Sequence, residues 1–158
     1  MTHLAACAAR TLTSLSGRRT VLVVDDEESV RELLAVVLTL EGHQVVQAAD
    51  GPTALALAAT VRPDLVVLDV MMPGMDGWEV AARLAAHPAT AGVPRMVVSG
   101  KPLGELEGAV GRDLVATVLT KPFDFVVFVD QVRTLLDSAC VPAPRSAAAD
   151  AVPSAAQA

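Results

Sequence analysis

The stretch of sequence that decides the fold is TVLVVDDEESVRELLAVVL, residues 20–38. Its first part, TVLVVD at residues 20–25, is a short apolar run rich in β-branched residues, which is typical of a buried strand. The apolar residues that follow recur at the spacing of one helical face, namely Val30, Leu33, Leu34, Val37 and Leu38. Gly42 then ends the predicted helix. A buried strand followed at once by an amphipathic helix predicts a β–α unit.

The same alternation repeats along the chain. Four further strands are predicted at residues 44–48, 64–69, 95–99 and 115–120. The helices between and after them are predicted from a cap at Asp50 to a stop before Pro63, at about 78–86, at 103–110 with glycine interruptions, and from Phe125 onward. These spacings suit right-handed βαβ crossovers. We therefore predict an α/β fold, a doubly wound, five-stranded parallel sheet with helices on both faces.

Length and composition limit the class of protein. The 158 residues suffice for one domain with a sizeable core, and 53% hydrophobic with 19% charged residues indicates a globular chain. The two cysteines, Cys7 and Cys140, exclude a disulfide framework and a CxxC-type metal site, and they fit a reducing, cytoplasmic setting. No apolar run approaches the roughly 18 residues of a membrane-spanning helix, so no membrane association is predicted.

Charge divides the chain into three segments. Residues 1–19 are basic and contain no acid, which predicts an irregular leader, with an organelle transit peptide as the alternative. Residues 20–138 are acidic and form the predicted domain. Residues 139–158 are an Ala/Pro/Ser tract that predicts a disordered tail. The net charge of −6 argues against direct DNA binding, which needs clustered Lys and Arg.

Polar residues end the predicted strands, where an open α/β sheet binds its ligands. The first strand ends in Asp25 and Asp26, the third in Asp69, the fourth in Ser99 and the fifth in Lys121. Crowded carboxylates repel one another unless a cation lies among them, and Mg²⁺ prefers such oxygen ligands. A carboxylate beside Mg²⁺ can attack a phosphoryl group, whose oxygens an ammonium and a hydroxyl would stabilise. The alternative is that these acids only cap helices and face solvent.

Four motifs resemble the receiver domain of two-component response regulators: VLVVDDEESVR at 21–31, DLVVLDVMMPGMDGWE at 64–79, MVVSG at 96–100 and LTKPF at 119–123. They occur in the family's order, and the resemblance covers roughly residues 20–138. It implies a flavodoxin-like sheet with strand order 2-1-3-4-5. It also implies a phosphorelay signalling protein and not an enzyme with a separate substrate. No recognisable output domain follows, so we expect the stand-alone, single-domain type.

The resemblance assigns roles to the acids. It implies that Asp69 is the phosphoacceptor and takes the phosphoryl group from a sensor histidine kinase or a histidine phosphotransfer protein. It implies Mg²⁺ as the cofactor, with Asp26 and Asp69 as direct ligands and Asp25 acting mainly through a metal-bound water. The backbone carbonyl of Met71 is the remaining expected protein ligand. The downstream target is expected to be another protein.

The resemblance also implies a switch. Ser99 would hydrogen-bond a phosphoryl oxygen, Lys121 would pair with another, and the Lys121–Pro122 bond is expected to be cis. The family places an aromatic residue three positions before the lysine, whereas this chain has Val118 there and no Tyr anywhere. Either the switch relies on Ser99 and the glycine-interrupted fourth helix, or the output is weak or unconventional. A homodimer through the face of the fourth and fifth helices stays open.

Two other functions compete with the phosphoacceptor. A receiver-like binding module could act without phosphorylation, and Val118 is the feature that favours it. An aspartyl-phosphate phosphatase on a similar sheet would need a second Asp two residues after its nucleophile on the first strand. The adjacent Asp25 and Asp26 do not provide that spacing.

Overall fold

A computed structural model describes residues 18–106 and 114–138 of the chain. Its sheet consists of β1 (Thr20–Val24), β2 (Gln44–Ala48), β3 (Leu65–Asp69), β4 (Arg95–Ser99) and β5 (Thr117–Thr120). All neighbouring strands are parallel, in the order β2-β1-β3-β4-β5. The predicted fold class and strand order are therefore confirmed.

The helices follow the strands one by one. They are α1 (Glu28–Leu40), α2 (Gly51–Val61), α3 (Gly77–Ala86), α4 (Leu103–Leu106) and α5 (Phe125–Ser138). The predicted leader before residue 18, the second half of the predicted fourth helix and the predicted tail lie outside the described residues. Within the described ranges, no helix is long and apolar enough to cross a membrane.

Helix ends follow local chemistry. The carboxylates of Asp50 and Asp76 cap α2 and α3 by accepting hydrogen bonds from the backbone N–H groups of Thr53 and Glu79, at 2.8 and 2.9 Å. This capping starts α3 at Gly77, one residue earlier than predicted. Gly42, at φ 91°, ends α1 as predicted, because a residue without a Cβ adopts the left-handed conformation at little cost.

The fifth strand is shorter than predicted. It begins at Thr117, where pairing with Met96 of β4 starts, and not at residue 115. The preceding chain is held by Arg95 instead, whose Nε donates to the carbonyl of Leu114 at 2.7 Å. The short pairing leaves β5 as a half-buried edge strand.

The sheet separates two apolar clusters, one on each face. Residues of β1 and β3 alternate between them: Val21, Val23, Leu65 and Val67 face α1 and α5, while Leu22, Val24, Val66 and Leu68 face α2 and α3. Because both faces are buried, these strands read as continuous apolar runs in the sequence. The polar residues are displaced to the strand ends, and the carboxyl ends of parallel strands meet at one edge.

Candidate functional site

Three carboxylates meet at the carboxyl edge of the sheet. The strands β1 and β3 are neighbours with Val24 opposite Leu68, so the residues that follow the pair, Asp25 and Asp69, emerge side by side. Asp25 and Asp69 are buried, whereas Asp26 is exposed. One carboxylate oxygen from each of the three lies within 4.8 Å of the others. The convergence expected from the sequence is present.

Lys121 reaches the same edge from β5. Its Nζ lies 3.2 Å from Oδ2 of Asp25 and 3.7 Å from Oδ1 of Asp69. Its backbone N–H donates to the carbonyl of Ser99 at 2.7 Å, and the Lys121–Pro122 peptide bond is cis, as expected. The ammonium thus bridges the two buried carboxylates.

The electrostatics single out Asp69. Burial, together with the charges of Asp25 and Asp26, raises its pKa from 3.8 to about 6. The Lys121 ammonium and a hydrogen bond from the backbone N–H of Met71 act in the opposite direction. The carboxyl group is therefore mostly ionised at neutral pH, in a place where its charge is incompletely compensated.

The donor set fits a hard divalent cation. Three carboxylates within reach of one another supply oxygen ligands, and the raised pKa of Asp69 indicates that additional positive charge would be favourable there. The expected fourth ligand, the backbone carbonyl of Met71, belongs to the residue whose N–H already bonds the Asp69 carboxylate. The site is chemically suited to a divalent metal ion with a preference for oxygen ligands.

Ser99 lies at the same edge but is engaged elsewhere. Its side chain is fully buried at the end of β4, and its hydroxyl oxygen accepts a hydrogen bond of 3.0 Å from the backbone N–H of Lys101. Lys101 stands two residues before α4. The hydroxyl is thus tied to the segment that leads into α4.

Two residues of the site were not anticipated from the sequence. A Cβ on Gly77 would lie 2.3 Å from the carbonyl oxygen of Asp69, so this first residue of α3 allows the strand end and the helix to approach. Its signal was the Asp-Gly pair at a helix start. Arg31, on α1, donates from Nη1 to the carbonyl of Asp25 at 2.8 Å, and a single arginine on a helix gives no comparable signal.

The fold and the site together define a class of α/β domain: a five-stranded parallel sheet of this order, with carboxylates and a lysine at its carboxyl edge. The family model of the response regulator receiver domain matches residues 21–133, and the chain belongs to this family. Receiver domains are signalling phosphoacceptors of two-component systems and not classical enzymes. The resemblance seen in the sequence is confirmed.

The relatives are consistent with this assignment. Response regulator PleD of Caulobacter vibrioides is 44% identical over 116 residues, which cover 73% of this chain and 25% of PleD. The DNA-binding dual master transcriptional regulator RpaA of Synechocystis is 37% identical over 118 residues, which cover 73% of this chain and 48% of RpaA. The chain thus spans between a quarter and about half of the length of these curated relatives.

Solved structures agree in fold. Chemotaxis protein CheY4 of Vibrio cholerae superposes with a TM-score of 0.70 at 28% identity, covering 75% of this chain and 98% of CheY4. Response regulator TrrA of Thermotoga maritima, solved in complex with Mg(2+)-BeF, gives a TM-score of 0.68 at 29% identity, covering 74% of this chain and 98% of TrrA.

Proposed function

We propose that this chain takes a phosphoryl group onto Asp69 from a phosphohistidine of a sensor histidine kinase or a histidine phosphotransfer protein, in a Mg²⁺-dependent reaction. The observation that carries the proposal is the environment of Asp69. Its buried carboxylate lies within 4.8 Å of the Asp25 and Asp26 oxygens and 3.7 Å from the Lys121 ammonium. With a pKa of about 6, this carboxylate is an ionised nucleophile at neutral pH.

The phosphoryl transfer forms one bond to phosphorus and breaks another. A carboxylate oxygen of Asp69 forms a bond to phosphorus while the bond from phosphorus to the donor imidazole breaks. The leaving nitrogen keeps the electron pair of that bond and takes up a proton. Lys121, which already contacts Asp69, is placed to pair with an oxygen of the incoming phosphoryl group.

Asp26 and Asp69 would hold Mg²⁺ directly, with Asp25 acting mainly through water and the Met71 carbonyl completing the protein ligands. The bound cation would neutralise charge that develops on the phosphoryl oxygens. The TrrA complex with Mg(2+)-BeF supports this assignment by analogy within the family.

The switch would run through Ser99 and α4. When the Ser99 hydroxyl turns to a phosphoryl oxygen on Asp69, the Lys101 N–H loses its acceptor. That hydrogen bond anchors the segment before α4, a helix of four described residues. The residue in the family's aromatic position, Val118, is half-buried and packs against the apolar cluster that faces α2 and α3. A serine-driven release of Lys101 therefore replaces the aromatic movement.

The output would be a protein contact made by the face of α4, β5 and α5, either with a target protein or with a second copy of this chain. A chain with net charge −6 suits such a contact better than direct binding to DNA. A kinase-coupled regulator of this type acts in the cytoplasm.

The experiment is intact mass spectrometry after incubation with acetyl phosphate and Mg²⁺. The wild type is expected to gain the mass of one phosphoryl group, and EDTA or Asp69→Ala is expected to abolish the gain. Asp64→Ala, which removes an acid at the opposite edge of the sheet, is the matched control and is expected to keep it. The same reaction with a phosphorylated kinase domain identifies the physiological donor class.

A competing function has one specific observation in its favour, the absence of an aromatic residue at Val118. A binding module that acts without phosphorylation would show no mass gain with either donor, although Mg²⁺ still bound. That result would overturn the phosphoacceptor assignment. A gain that persists in Asp69→Ala would instead move the acceptor to another residue.

A further inference from the structure

The turn between β1 and α1 carries Asp25 and Asp26, and a side chain from the helix holds it. Arg31 lies in the first turn of α1, where its backbone N–H donates to the carbonyl of Glu27 at 3.0 Å. Its Nη1 reaches back to the carbonyl of Asp25 at 2.8 Å. The guanidinium therefore bonds a residue that precedes the helix by three positions.

This hydrogen bond completes the polar partners of Asp25. The Asp25 Oδ1 accepts from the backbone N–H of Glu27 at 2.9 Å, and Oδ2 accepts from Lys121 at 3.2 Å. The backbone N–H of Asp25 donates to the carbonyl of Ala48 at 3.2 Å. With Arg31 on the remaining carbonyl, every polar group of Asp25 has a partner. Its conformation is fixed from the strand, the turn and the helix together.

The start of α1 needs this arrangement. Glu27 occupies the capping position, but among the described residues its side chain makes no capping hydrogen bond to the helix. The Asp25 carboxylate instead binds the Glu27 N–H, and Arg31 binds the Asp25 carbonyl in return. These two hydrogen bonds connect the end of β1 to the start of α1. Asp26 is the residue between Asp25 and Glu27, in the turn that they stabilise.

We propose that Arg31 is a positioning residue for the Mg²⁺ site: it fixes the Asp25 backbone and, through it, the directions of the Asp25 and Asp26 carboxylates. It touches neither the cation nor the phosphoryl group. The inference rests on the proposed function in taking this cluster as the Mg²⁺ site. Partners that orient metal ligands commonly contribute about 10- to 100-fold to metal affinity.

The direction in which the Mg²⁺ affinity changes when Arg31 is replaced distinguishes a positioning role from an effect of its charge. A guanidinium near a cation site repels the cation, so removing its charge alone would tighten Mg²⁺ binding. Removing a positioning hydrogen bond would weaken Mg²⁺ binding. The two accounts of Arg31 therefore predict opposite changes in the same dissociation constant.

The test is titration calorimetry with Mg²⁺ on the full chain. Arg31→Met, which keeps the length of the side chain without its donors, is expected to weaken Mg²⁺ binding about tenfold. Arg31→Lys is expected to recover most of the affinity, because an ammonium can donate to the same carbonyl. Arg83→Met, which removes an exposed arginine paired with Glu79 on α3, is the control and is expected to change nothing. Unchanged or tighter binding in Arg31→Met would overturn the proposal.

A second measurement needs no metal. Amide hydrogen exchange in EDTA reports the hydrogen bond from the Glu27 N–H to the Asp25 carboxylate. Arg31→Met is expected to speed exchange at Glu27 several-fold while the helix amides of α3 keep their protection. An unchanged exchange rate at the Glu27 amide would show that Arg31 does not stabilise the turn. If the wild type itself binds no Mg²⁺, the proposed function fails while this exchange result still decides the role of Arg31 in the turn.

Discussion

The two edges of the sheet treat their acidic residues in opposite ways. At the amino edge, Asp64 accepts from the backbone N–H of Thr20 at 2.9 Å and lies 3.8 Å from the Arg19 guanidinium. At the carboxyl edge, the carboxylates of Asp25, Asp26 and Asp69 converge, Lys121 pairs with Asp25 and Asp69, and the pKa of Asp69 rises to about 6. One edge compensates its negative charge and the other leaves part of it uncompensated.

This difference shows where function resides in the molecule. An acid whose charge is compensated by protein partners stabilises the fold and has little capacity left to bind a ligand. An unmatched cluster costs folding free energy until a cation or a charged group arrives, so the cost itself favours ligand binding. The predictions that follow test whether the two edges differ in this way.

The largest expected effect comes from Gly77→Ala at the carboxyl edge. The added Cβ would lie 2.3 Å from the Asp69 carbonyl oxygen and 2.9 Å from Cα of Val70, so backbone must move. We expect a loss of about 3 kcal/mol in the free energy of unfolding, measured by urea denaturation. Gly92→Ala is the control near the amino edge, where a Cβ meets open space, and it should change stability by less than about 1 kcal/mol. Equal effects would contradict the close approach at Gly77.

The second-largest expected effect is the stabilisation of the folded state by Mg²⁺. A cation that binds only the folded state at 100 times its dissociation constant adds about 2.7 kcal/mol to the free energy of unfolding. We expect a gain of this size in the wild type and in Asp64→Asn, and a much smaller one in Asp69→Asn. Thermal or urea unfolding with and without EDTA measures it. A full gain in Asp69→Asn would remove Asp69 from the cation site.

A smaller effect is expected from neutralising one acid at each edge in EDTA at pH 7.5. Asp69→Asn should stabilise the protein by about 1–2 kcal/mol, less than the roughly 3 kcal/mol that corresponds to its pKa shift, because the contact with the Lys121 ammonium is weakened. Asp64→Asn should destabilise it by about 1–2 kcal/mol, because the hydrogen bond from Thr20 loses its charged acceptor and the ion pair with Arg19 is lost. Changes of the same sign would show that the edges do not differ.

The pH dependence of the Asp69 contribution follows from the same pKa. The folded state binds a proton more readily than the unfolded state between pH 3.8 and about 6, so stability falls as the pH rises through this window. The difference in unfolding free energy between Asp69→Asn and the wild type should therefore grow from pH 4 to pH 6 in EDTA and then level off. A flat difference would contradict the raised pKa.

The smallest effect is expected from His43, just before β2 at the amino edge. Burial is the main cause that lowers its pKa below 6.5. The charges of Arg133 and Arg19 lower the pKa as well, whereas those of Glu41 and Asp64 raise it. The folded state then binds fewer protons than the unfolded state, so the stability that it contributes above pH 6.5 is lost as the pH falls. His43→Gln should remove this loss in urea denaturation between pH 7 and pH 5. The two edges thus respond to acid with opposite signs.

The sequence predicted most of the sheet because burial on both faces makes the strands visible. The runs at residues 21–24 and 65–68 are apolar throughout, since alternate residues enter different clusters. The edge strand β5 was the largest exception, two residues shorter than predicted, whereas β1 and β3 each lack one predicted terminal residue. The residues of β5 are half-buried, so their sequence pattern does not mark where pairing with β4 begins, and Arg95 holds the preceding chain by a side-chain bond instead.

The candidate site was predictable as a set of residue types and not as a set of contacts. Strand ends locate Asp25, Asp69 and Lys121, because a parallel sheet places its carboxyl ends at one edge. The role of Arg31 depends on how the turn after β1 folds back, and that of Gly77 on the separation between β3 and α3. Such through-space relations leave no period or motif in a single sequence.

The separation of the core into two clusters has a consequence for how such a protein can change over generations. Substitutions beneath α1 and α5 lie across the sheet from those beneath α2 and α3, so we expect their energetic penalties to be close to additive. The residues of one helical layer, and the outer surface of its helices, can therefore change without compensating substitutions in the helical layer on the other face of the sheet. The carboxyl edge depends on residues from both sides and has no such freedom. We therefore expect inherited variation to be more independent within each half of the core than along the carboxyl edge.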